Sequence, residues 1–311
     1  MIRRVSLGFA LLLGAIGGAA QAQKLDETPR TVVMTAFGPE WNALVHAVAE
    51  PHEHAINGAT FVTGTLEGKP VILMQSGVSV VNAAMSTQLV LDRFSVRRIV
   101  FSGIAGGVDP QLSIGDVVVP ADWGQYLEGA FARRTKRGWR SPDTPVENAP
   151  PPWNFIFPRG TRVTNAAMAG RRMVRIPVDP AMLELARKLV PTLALERCVA
   201  PSDKMRPGSV LCLPRLPKVE VGGTGVTAGI YADNAEFRRY LQRAWQARVL
   251  DMESAAVVQV AYSNMVPVIV FRSLSDLAGG DRHRNMEDTF EHLASTNSAH
   301  VVRAFLAALP E

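Results

Sequence analysis

Short apolar runs alternate with segments of helical periodicity along most of this chain. The runs are rich in Val and Ile, and most of them end in Gly, Ser or Asp, which is typical of buried strands. The segments between them carry apolar residues at the spacing of an amphipathic helix. This alternation predicts an α/β fold of three layers, α/β/α, in which helices cover both faces of a central sheet.

The individual elements follow from the same periodicities. The predicted strands are residues 31–37, 71–74, 98–102, 114–120, 219–226, 248–252 and 266–271. The predicted helices are residues 39–48, 80–94, 180–190, 234–245, 255–262 and 286–308. Pro39 opens the first helix, where its missing N–H costs nothing, and this places Glu40 in the first turn.

The segment from about residue 129 to 177 interrupts the pattern. It contains a group of basic residues, Arg133, Arg134, Lys136, Arg137 and Arg140, followed by several prolines. We interpret this Pro/Arg-rich insert as an irregular, solvated loop rather than as a polyanion site. Trp153, Phe155 and Phe157 would be costly if exposed, so we expect them to pack on this chain or on a partner subunit, as a loop that closes a site.

The first 22 residues have the features of a cleaved signal peptide. Arg3 and Arg4 precede an apolar stretch, and Ala20-Gln-Ala22 is a cleavage motif. A retained membrane anchor is the weaker interpretation, because glycines thin the apolar stretch and the cleavage motif follows directly. We therefore expect an exported protein, periplasmic or secreted, without a stable membrane anchor, whose residues 23–311 form a single domain.

Charge and cysteine content narrow the possibilities further. Removal of residues 1–22, which contain two arginines and no acid, lowers the formal charge from +5 to +3. This mild excess does not indicate a nucleic-acid partner. Cys198 and Cys212 are the only cysteines, and a disulfide between them is expected in an oxidising compartment. A metal site would need further Cys or His residues at ligand spacing, and none is nearby.

Two acidic residues lie where predicted strands end. Glu253 is located between a predicted strand and the helix that follows, and Asp276 comes just past the next strand. Ligands bind in the crevice outside the carboxyl ends of strands in open α/β sheets, so the pair predicts a site there. Taken singly, each acid is equally explained as a helix cap or a turn residue.

The segments around these acids resemble the nucleoside phosphorylase and nucleosidase superfamily, and within it the methylthioadenosine/S-adenosylhomocysteine nucleosidase branch. The resemblance extends from about residue 31 to 308 and rests on Ala36–Glu40, Ser76–Ala84, Ser102–Gly107, Ile114–Val118, Val249–Ala256 and Phe271–Ala278. It implies the nucleoside phosphorylase/hydrolase-like fold, whose central sheet is mixed and partly barrel-like. It also implies a homodimer, a nucleoside substrate, and no metal or redox cofactor.

The resemblance also assigns roles to particular residues. Asp276 would be the general acid toward N7 of the purine, and Glu40 would deprotonate the attacking water. Glu253 would accept hydrogen bonds from the ribose hydroxyls, with Met252 lining the sugar. Further substrate-binding residues would be Ser76, Gly77, Gly103, Ala105, Ser275, Tyr231 and Ala232. Tyr231 would stack on the base, although a half-buried amphipathic tyrosine is an equally good interpretation.

The absence of two arginines that the phosphorylases of the superfamily carry favours hydrolysis over phosphorolysis. The phosphorylases of the superfamily carry an Arg where this chain has Phe101, and another in the loop that here ends in Glu40. An acid at that place repels phosphate and activates water. The expected activity is therefore hydrolysis of the N-glycosidic bond of a purine nucleoside, adenine favoured, such as 5'-methylthioadenosine or S-adenosylhomocysteine. The alternatives are an exported nucleoside-binding, uptake or storage protein of this fold, or a phosphate-dependent phosphorylase.

Overall fold

The computed structural model describes residues 24–144, 146–189, 193–199, 210–282 and 284–310. The predicted signal peptide lies outside the described residues, as does most of the segment between the two cysteines. Within the described ranges, no helix has the length and apolar character needed to cross a bilayer.

Six α-helices and twenty strands are present in these ranges. The helices are α1 Gly38–Val45, α2 Val80–Arg93, α3 Pro180–Leu189, α4 Ala235–Tyr240, α5 Ser254–Ser263 and α6 Glu287–Ala308. The strands are β1 Asp26–Thr35, β2 Ala49–Ile56, β3 Ala59–Leu66, β4 Lys69–Gln75, β5 Phe94–Gly107, β6 Val117–Val119, β7 Asp122–Gln125, β8 Gly129–Phe131, β9 Arg133–Thr135, β10 Gly138–Arg140, β11 Ile156–Pro158, β12 Thr161–Asn165, β13 Met168–Met173, β14 Ile176–Pro177, β15 Cys198–Val199, β16 Leu211–Cys212, β17 Val219–Val221, β18 Thr224–Thr227, β19 Ala247–Asp251 and β20 Val268–Asp276.

Twelve of the strands form one mixed sheet. Its order is β14-β7-β18-β19-β5-β1-β4-β3-β2, and β20 pairs with both β5 and β6, the latter joined to β17. β1 runs parallel to β4 and β5, whereas β19 runs antiparallel to β5. Helices α2 and α5 pack together, while α1 and α3 pack with α6. The predicted α/β fold, with a mixed sheet between helices, is confirmed.

Strand β5 is the long element on which the sheet branches. Its first half pairs with β1, its last residues pair with β19, and β20 pairs with it from Ile99 to Gly106. The predicted strand 98–102 is therefore too short, because residues 103–107 continue it. A side chain at Gly107 would lie 2.9 Å from Leu274 Cδ1, so the small residues there allow the two strands to pair closely.

Several predicted boundaries shift in the structure. Strand 219–226 divides into β17 and β18 at Gly222 and Gly223, both of which have positive φ. The helix predicted for 234–245 is α4 followed by a π-helical turn, Leu241–Trp245. Strand β20 extends to Asp276, which is thus its last residue rather than a residue beyond it.

The hairpin of β2 and β3 was not among the predicted elements. Its first strand is polar and mostly exposed, so it shows no alternation of apolar and polar residues. The turn that joins the strands does carry a signal, since Asn57 and Gly58 both have positive φ. An Asn-Gly pair with this geometry is the preferred two-residue hairpin turn.

The insert at 129–177 is ordered, and the prediction of an irregular loop is wrong. It forms three antiparallel pairs, β8 with β11, β9 with β10, and β12 with β13, and its last strand joins the main sheet. The prolines were correctly interpreted as breaks, because the described residues between β10 and β11 contain no strand. Short strands of Arg, Thr and aromatic residues around that break carry no clear apolar alternation.

The three aromatic residues of the insert pack on this chain. Trp153 contacts Phe237 and Tyr240, with ring centroids 5.5 and 5.0 Å away. Phe155 contacts two rings of its own insert and is 40% exposed, and Phe157 is half-buried in β11.

The predicted disulfide between Cys198 and Cys212 is confirmed. It joins β15 to β16, which pair with each other. Val199 and Leu213, next to the two cysteines, pack on Phe290 and Leu293 of helix α6. The disulfide therefore ties a two-stranded unit against the first half of that helix.

Candidate active site

A cleft opens beside the carboxyl ends of β1, β5, β19 and β20. Its walls come from these strands and from the first turn of α6, which contributes Glu287. The cavity has a volume of about 210 Å³ and opens to solvent on one side.

Most of the predicted site residues meet in this cleft. Eight of them line it: Glu40, Ala105, Tyr231, Ala232, Met252, Glu253, Ser275 and Asp276. Ser76, Gly77 and Gly103 do not. Ser76 and Gly77 instead lead into Val78, which does line the cleft, and Gly103 lies behind Glu40. The aromatic residues of the insert are also absent from the lining, so they do not close the cleft over their own chain.

Arg272 is the central residue of the site, and sequence reasoning gave it no role. It is fully buried in the middle of β20. Its Nε lies 2.8 Å from Asp251 Oδ2, and its Nη1 and Nη2 lie 3.7 Å from carboxylate oxygens of Glu40 and Glu253. The signal was present, because an arginine inside an otherwise apolar strand requires buried partners.

Hydrogen bonds from hydroxyl groups fix the Arg272–Asp251 pair. Ser254 Oγ accepts bonds from Arg272 Nε and Nη2 at 3.0 and 2.8 Å, and it donates to Asp251 Oδ2. Thr227 Oγ1 donates to Asp251 Oδ1 at 2.5 Å. Asp251 is therefore saturated with donors, as a buried carboxylate must be. Its role is to hold Arg272 rather than to react.

Glu40 is held at the start of helix α1 by two backbone donors. The N–H groups of Ala36 and Ile104 donate to its two oxygens at 2.5 and 2.8 Å. The side chain is buried, and burial raises the pKa of Glu40, while Arg272 and the backbone donors act in the opposite direction. A carboxylate fixed in this way at a helix N-terminus can accept a proton without reorienting.

Glu253 occupies the N-cap position of helix α5. Its Oε1 accepts a hydrogen bond of 2.8 Å from the backbone N–H of Ser79. Burial, followed by the negative charge of Asp251, raises the pKa of Glu253 to about 7, although Arg272 opposes the shift. Ser79 has a φ of 81°, a strained conformation for a residue with a side chain, and such strain is typical of functional sites.

Asp276 is nine-tenths buried at the end of β20, and its two oxygens have separate donors. The N–H of Ala278 donates to Oδ1 at 2.7 Å, and Ser275 Oγ donates to Oδ2 at 2.9 Å. Burial raises the pKa of Asp276 to about 6, and the negative charges of Glu287 and Asp281 add to the shift. This carboxyl group can therefore keep a protonated fraction near neutral pH, as a general acid must.

Two residues form the outer part of the cleft. Tyr231 is 58% exposed, and its partial burial, followed by the nearby Glu287, raises the pKa of Tyr231. Glu287 was also missed by sequence reasoning, because an acid in the first turn of a helix is ordinarily explained by the helix dipole.

Within the described ranges, no group of three or more His, Cys, Asp or Glu side chains is arranged to hold a metal ion.

The family is settled by a comparison over almost the whole chain. A family model described as the phosphorylase superfamily matches residues 30–307. The chain belongs to this superfamily. The resemblance inferred from the sequence motifs is thereby confirmed.

The relatives of this phosphorylase-superfamily chain include both enzymes and storage proteins. It is 29% identical to a 5'-methylthioadenosine/S-adenosylhomocysteine nucleosidase of Mycobacterium tuberculosis over 278 residues, 89% of this chain and 96% of that protein. It is 25% identical to bark storage protein B of Populus deltoides over 264 residues, 82% and 79% of the two chains. The fold resembles the solved 5'-methylthioadenosine/S-adenosylhomocysteine nucleosidase of Neisseria meningitidis in complex with methylthio-immucillin-A, with a TM-score of 0.65 and 20% identity. The match covers 90% of this chain and 99% of that protein.

The close approach at Gly103 gives a test of the Arg272–Glu40 arrangement. A Cβ at this position would lie 1.7 Å from Arg272 Nη1 and 2.7 Å from Glu40 Oε1. We expect Gly103→Ala to displace both groups, to lower stability by about 1–3 kcal/mol as overpacked cores do, and to abolish nucleoside turnover. Thermal unfolding and base-release assays would measure these effects.

Gly170→Ala is the matched control, because an added Cβ in that strand meets only the flexible end of Arg162, at 3.2 Å. It should leave both properties unchanged. If Gly103→Ala retained full turnover, the tight packing described here would not matter for function.

Proposed function

We propose that this protein hydrolyses the N-glycosidic bond of a purine nucleoside, with adenine as the favoured base. The main support for this proposal is that three acidic side chains line one cleft, each held in a different environment. Asp276 has a raised pKa, Glu40 is fixed by backbone donors, and Glu253 faces the same space. The nucleosidase names of several relatives support the same reaction class.

Asp276 supplies the proton to the leaving base. Cleavage of the bond between C1′ and the base nitrogen leaves negative charge on the purine, and protonation at N7 neutralises it. Its raised pKa keeps a protonated fraction near neutral pH. The hydroxyl of Ser275 and the N–H of Ala278 hold the carboxyl group in a fixed orientation.

Glu40 activates the attacking water, and Arg272 holds Glu40 from behind. Nη1 of Arg272 lies 3.7 Å from Glu40 Oε1 and is buried, so it does not reach the cleft. A water molecule in the cleft that donates a hydrogen bond to Glu40 has its oxygen free to attack C1′. Glu40 then takes the proton as the new C–O bond forms, which balances the proton given by Asp276.

Glu253 and Met252 bind the ribose. Oε1 of Glu253 has one backbone donor, from Ser79, so both of its oxygens can accept further bonds from the 2′- and 3′-hydroxyl groups. Its negative charge stabilises the positive charge that develops on the sugar ring as the bond breaks. The aromatic ring of Tyr231, in the outer part of the cleft, provides an apolar face for the purine.

Water is favoured over phosphate as the nucleophile by the charge of the cleft. Five acidic residues line it, namely Glu40, Asp251, Glu253, Asp276 and Glu287. No Lys or Arg is found among the described residues that line it. A phosphate dianion would be repelled at close range by these carboxylates, whereas water carries no charge.

Nucleoside binding without catalysis is the second candidate, and the similarity to bark storage protein B favours it. Base release from methylthioadenosine, adenosine and inosine, with and without phosphate, separates the candidates. We expect phosphate-independent release of adenine, with the free sugar as the other product: ribose from adenosine and methylthioribose from methylthioadenosine. Asp276→Asn should slow release by about 10²–10⁴-fold, the usual contribution of a general acid.

The control for this experiment is Asp288→Asn, which removes an exposed carboxylate near the same end of α6 and should leave release unchanged. Formation of ribose 1-phosphate would identify a phosphorylase. Tight nucleoside binding without base release from any of the three would support the binding or storage role.

We further propose that the protein is a homodimer through an exposed apolar face of α2. Val81 and Met85 lie one helical turn apart on α2 and are 65% and 67% exposed, and Val78, just before the helix, is 46% exposed. Ile230 and Tyr231, 48% and 58% exposed, share the lining of the cleft with Val78. A second copy seated on this face would cover apolar surface and narrow the mouth of the cleft.

The double variant Val81→Glu/Met85→Glu tests this interface. Buried charge without a partner is strongly unfavourable, so we expect the dimer to dissociate in sedimentation-velocity measurements. Leu216→Glu, at another exposed apolar residue, should leave the dimer intact. A wild-type protein that sediments as a monomer at all concentrations would exclude the interface.

Export is also a proposal, supported by the leader-like residues 1–22 and by the disulfide between Cys198 and Cys212. An intact-mass measurement on protein from the original cell should show a chain that begins at Gln23. Retention of residues 1–22 would contradict cleavage.

A further inference from the structure

The hairpin of β9 and β10 concentrates positive charge on the surface. Its ten-residue neighbourhood, 131–140, contains Arg133, Arg134, Lys136, Arg137 and Arg140 and no acid. Without residues 1–22, which contain two arginines, the chain has 31 basic and 28 acidic residues, so the part outside this hairpin has 26 basic and 28 acidic residues. The positive excess of the mature protein thus comes from this one hairpin.

None of these five side chains has an acidic partner within the described residues. All five are exposed, and none forms an ion pair within the part of the chain that the structure describes. Arg133 lies directly opposite Arg140 in the antiparallel register. Like charges opposite each other destabilise a strand pair, so the isolated hairpin carries a cost that an anionic partner would remove.

Exposed aromatic rings accompany the charge. Phe131, Trp139 and Phe155 are 72%, 39% and 40% exposed, and none of them belongs to an apolar core cluster. Phe155 joins the other two, with ring centroids 5.1 Å from Phe131 and 5.7 Å from Trp139. The guanidinium of Arg134 lies 5.0 Å from the Trp139 ring. Apolar rings and cations therefore form one contiguous surface, the basic aromatic hairpin.

We propose that the basic aromatic hairpin binds the surface of an anionic phospholipid bilayer. Basic side chains near such a surface are attracted to its headgroups, and aromatic rings occupy the boundary between headgroups and acyl chains. The hairpin offers both in one place, with Lys136 and Arg137 in the turn between its two strands. The contact is peripheral, since none of the described helices can span the bilayer.

A bilayer fits the hairpin better than a nucleic acid does. Single-stranded nucleic acids are bound by aromatic rings that lie open, so that successive bases can stack on them. Here Phe131 and Phe155 pack edge to face at 87°, and Trp139 is covered on one side by Arg134. The rings form a small apolar cluster, which suits insertion between lipid headgroups.

Vesicle sedimentation tests the proposal directly. The full-length mature protein would be mixed with vesicles of phosphatidylcholine, with or without phosphatidylglycerol, at low and high salt. We expect binding only to the anionic vesicles and loss of binding at high salt, because ions screen the attraction. Each basic residue near the surface contributes roughly a fivefold gain in partitioning.

Two sets of substitutions with the same net charge locate the surface. The quadruple variant Arg133→Gln, Arg134→Gln, Lys136→Gln and Arg137→Gln should reduce partitioning by a hundredfold or more, on the order of fivefold per charge. The control removes four exposed cations elsewhere, by Arg97→Gln, Arg187→Gln, Lys188→Gln and Arg239→Gln. It should retain most of the binding.

The rings are tested separately. Phe131→Ser/Phe155→Ser should weaken binding to anionic vesicles without changing base release, since neither residue lines the cleft. Equal losses in the two charge variants would overturn the proposal, because binding would then reflect net charge alone. Binding to duplex or single-stranded DNA without binding to anionic vesicles would also overturn it.

Discussion

The buried guanidinium of Arg272 is the interaction on which the rest of the site depends. It lies in β20 and is held against β19 by Asp251, while its other nitrogens face Glu40 and Glu253 from two different helices. Removal of one partner from such a buried group typically costs about 3–5 kcal/mol, since an uncompensated charge remains. The absence of a side chain at Gly103 is what leaves room for it.

The same arrangement explains how acids in one cleft take different roles. Three carboxylates surround a single cation, so they cannot all be ionised without cost, and burial adds to that cost. Asp251 is saturated with donors and holds Arg272, whereas the pKa of Glu253 is raised to about 7. Asp276 stands apart from Arg272, and burial together with the charges of Glu287 and Asp281 raises its pKa to about 6.

The sequence predicted the parts of the molecule in which local pattern and tertiary structure agree. Buried strands such as β1 and β20 show as apolar runs, and the acids that line the cleft follow them directly. Arg272 was overlooked because its partners come from segments far apart in the chain, a relation that periodicity does not record. The insert was mistaken for an irregular loop because its short, polar hairpins are held by pairing and aromatic contacts rather than by apolar alternation.

The pH dependence of kcat/KM for adenine release tests most directly whether a protonated Asp276 drives the reaction. Because the pKa of Asp276 is about 6, the account predicts that kcat/KM falls as pH rises through that value. Glu287→Gln removes a negative charge that raises this pKa, so the fall should move to lower pH, whereas Asp288→Asn should leave it in place. A rate that does not fall with rising pH, or a profile unchanged by Glu287→Gln, would contradict the account.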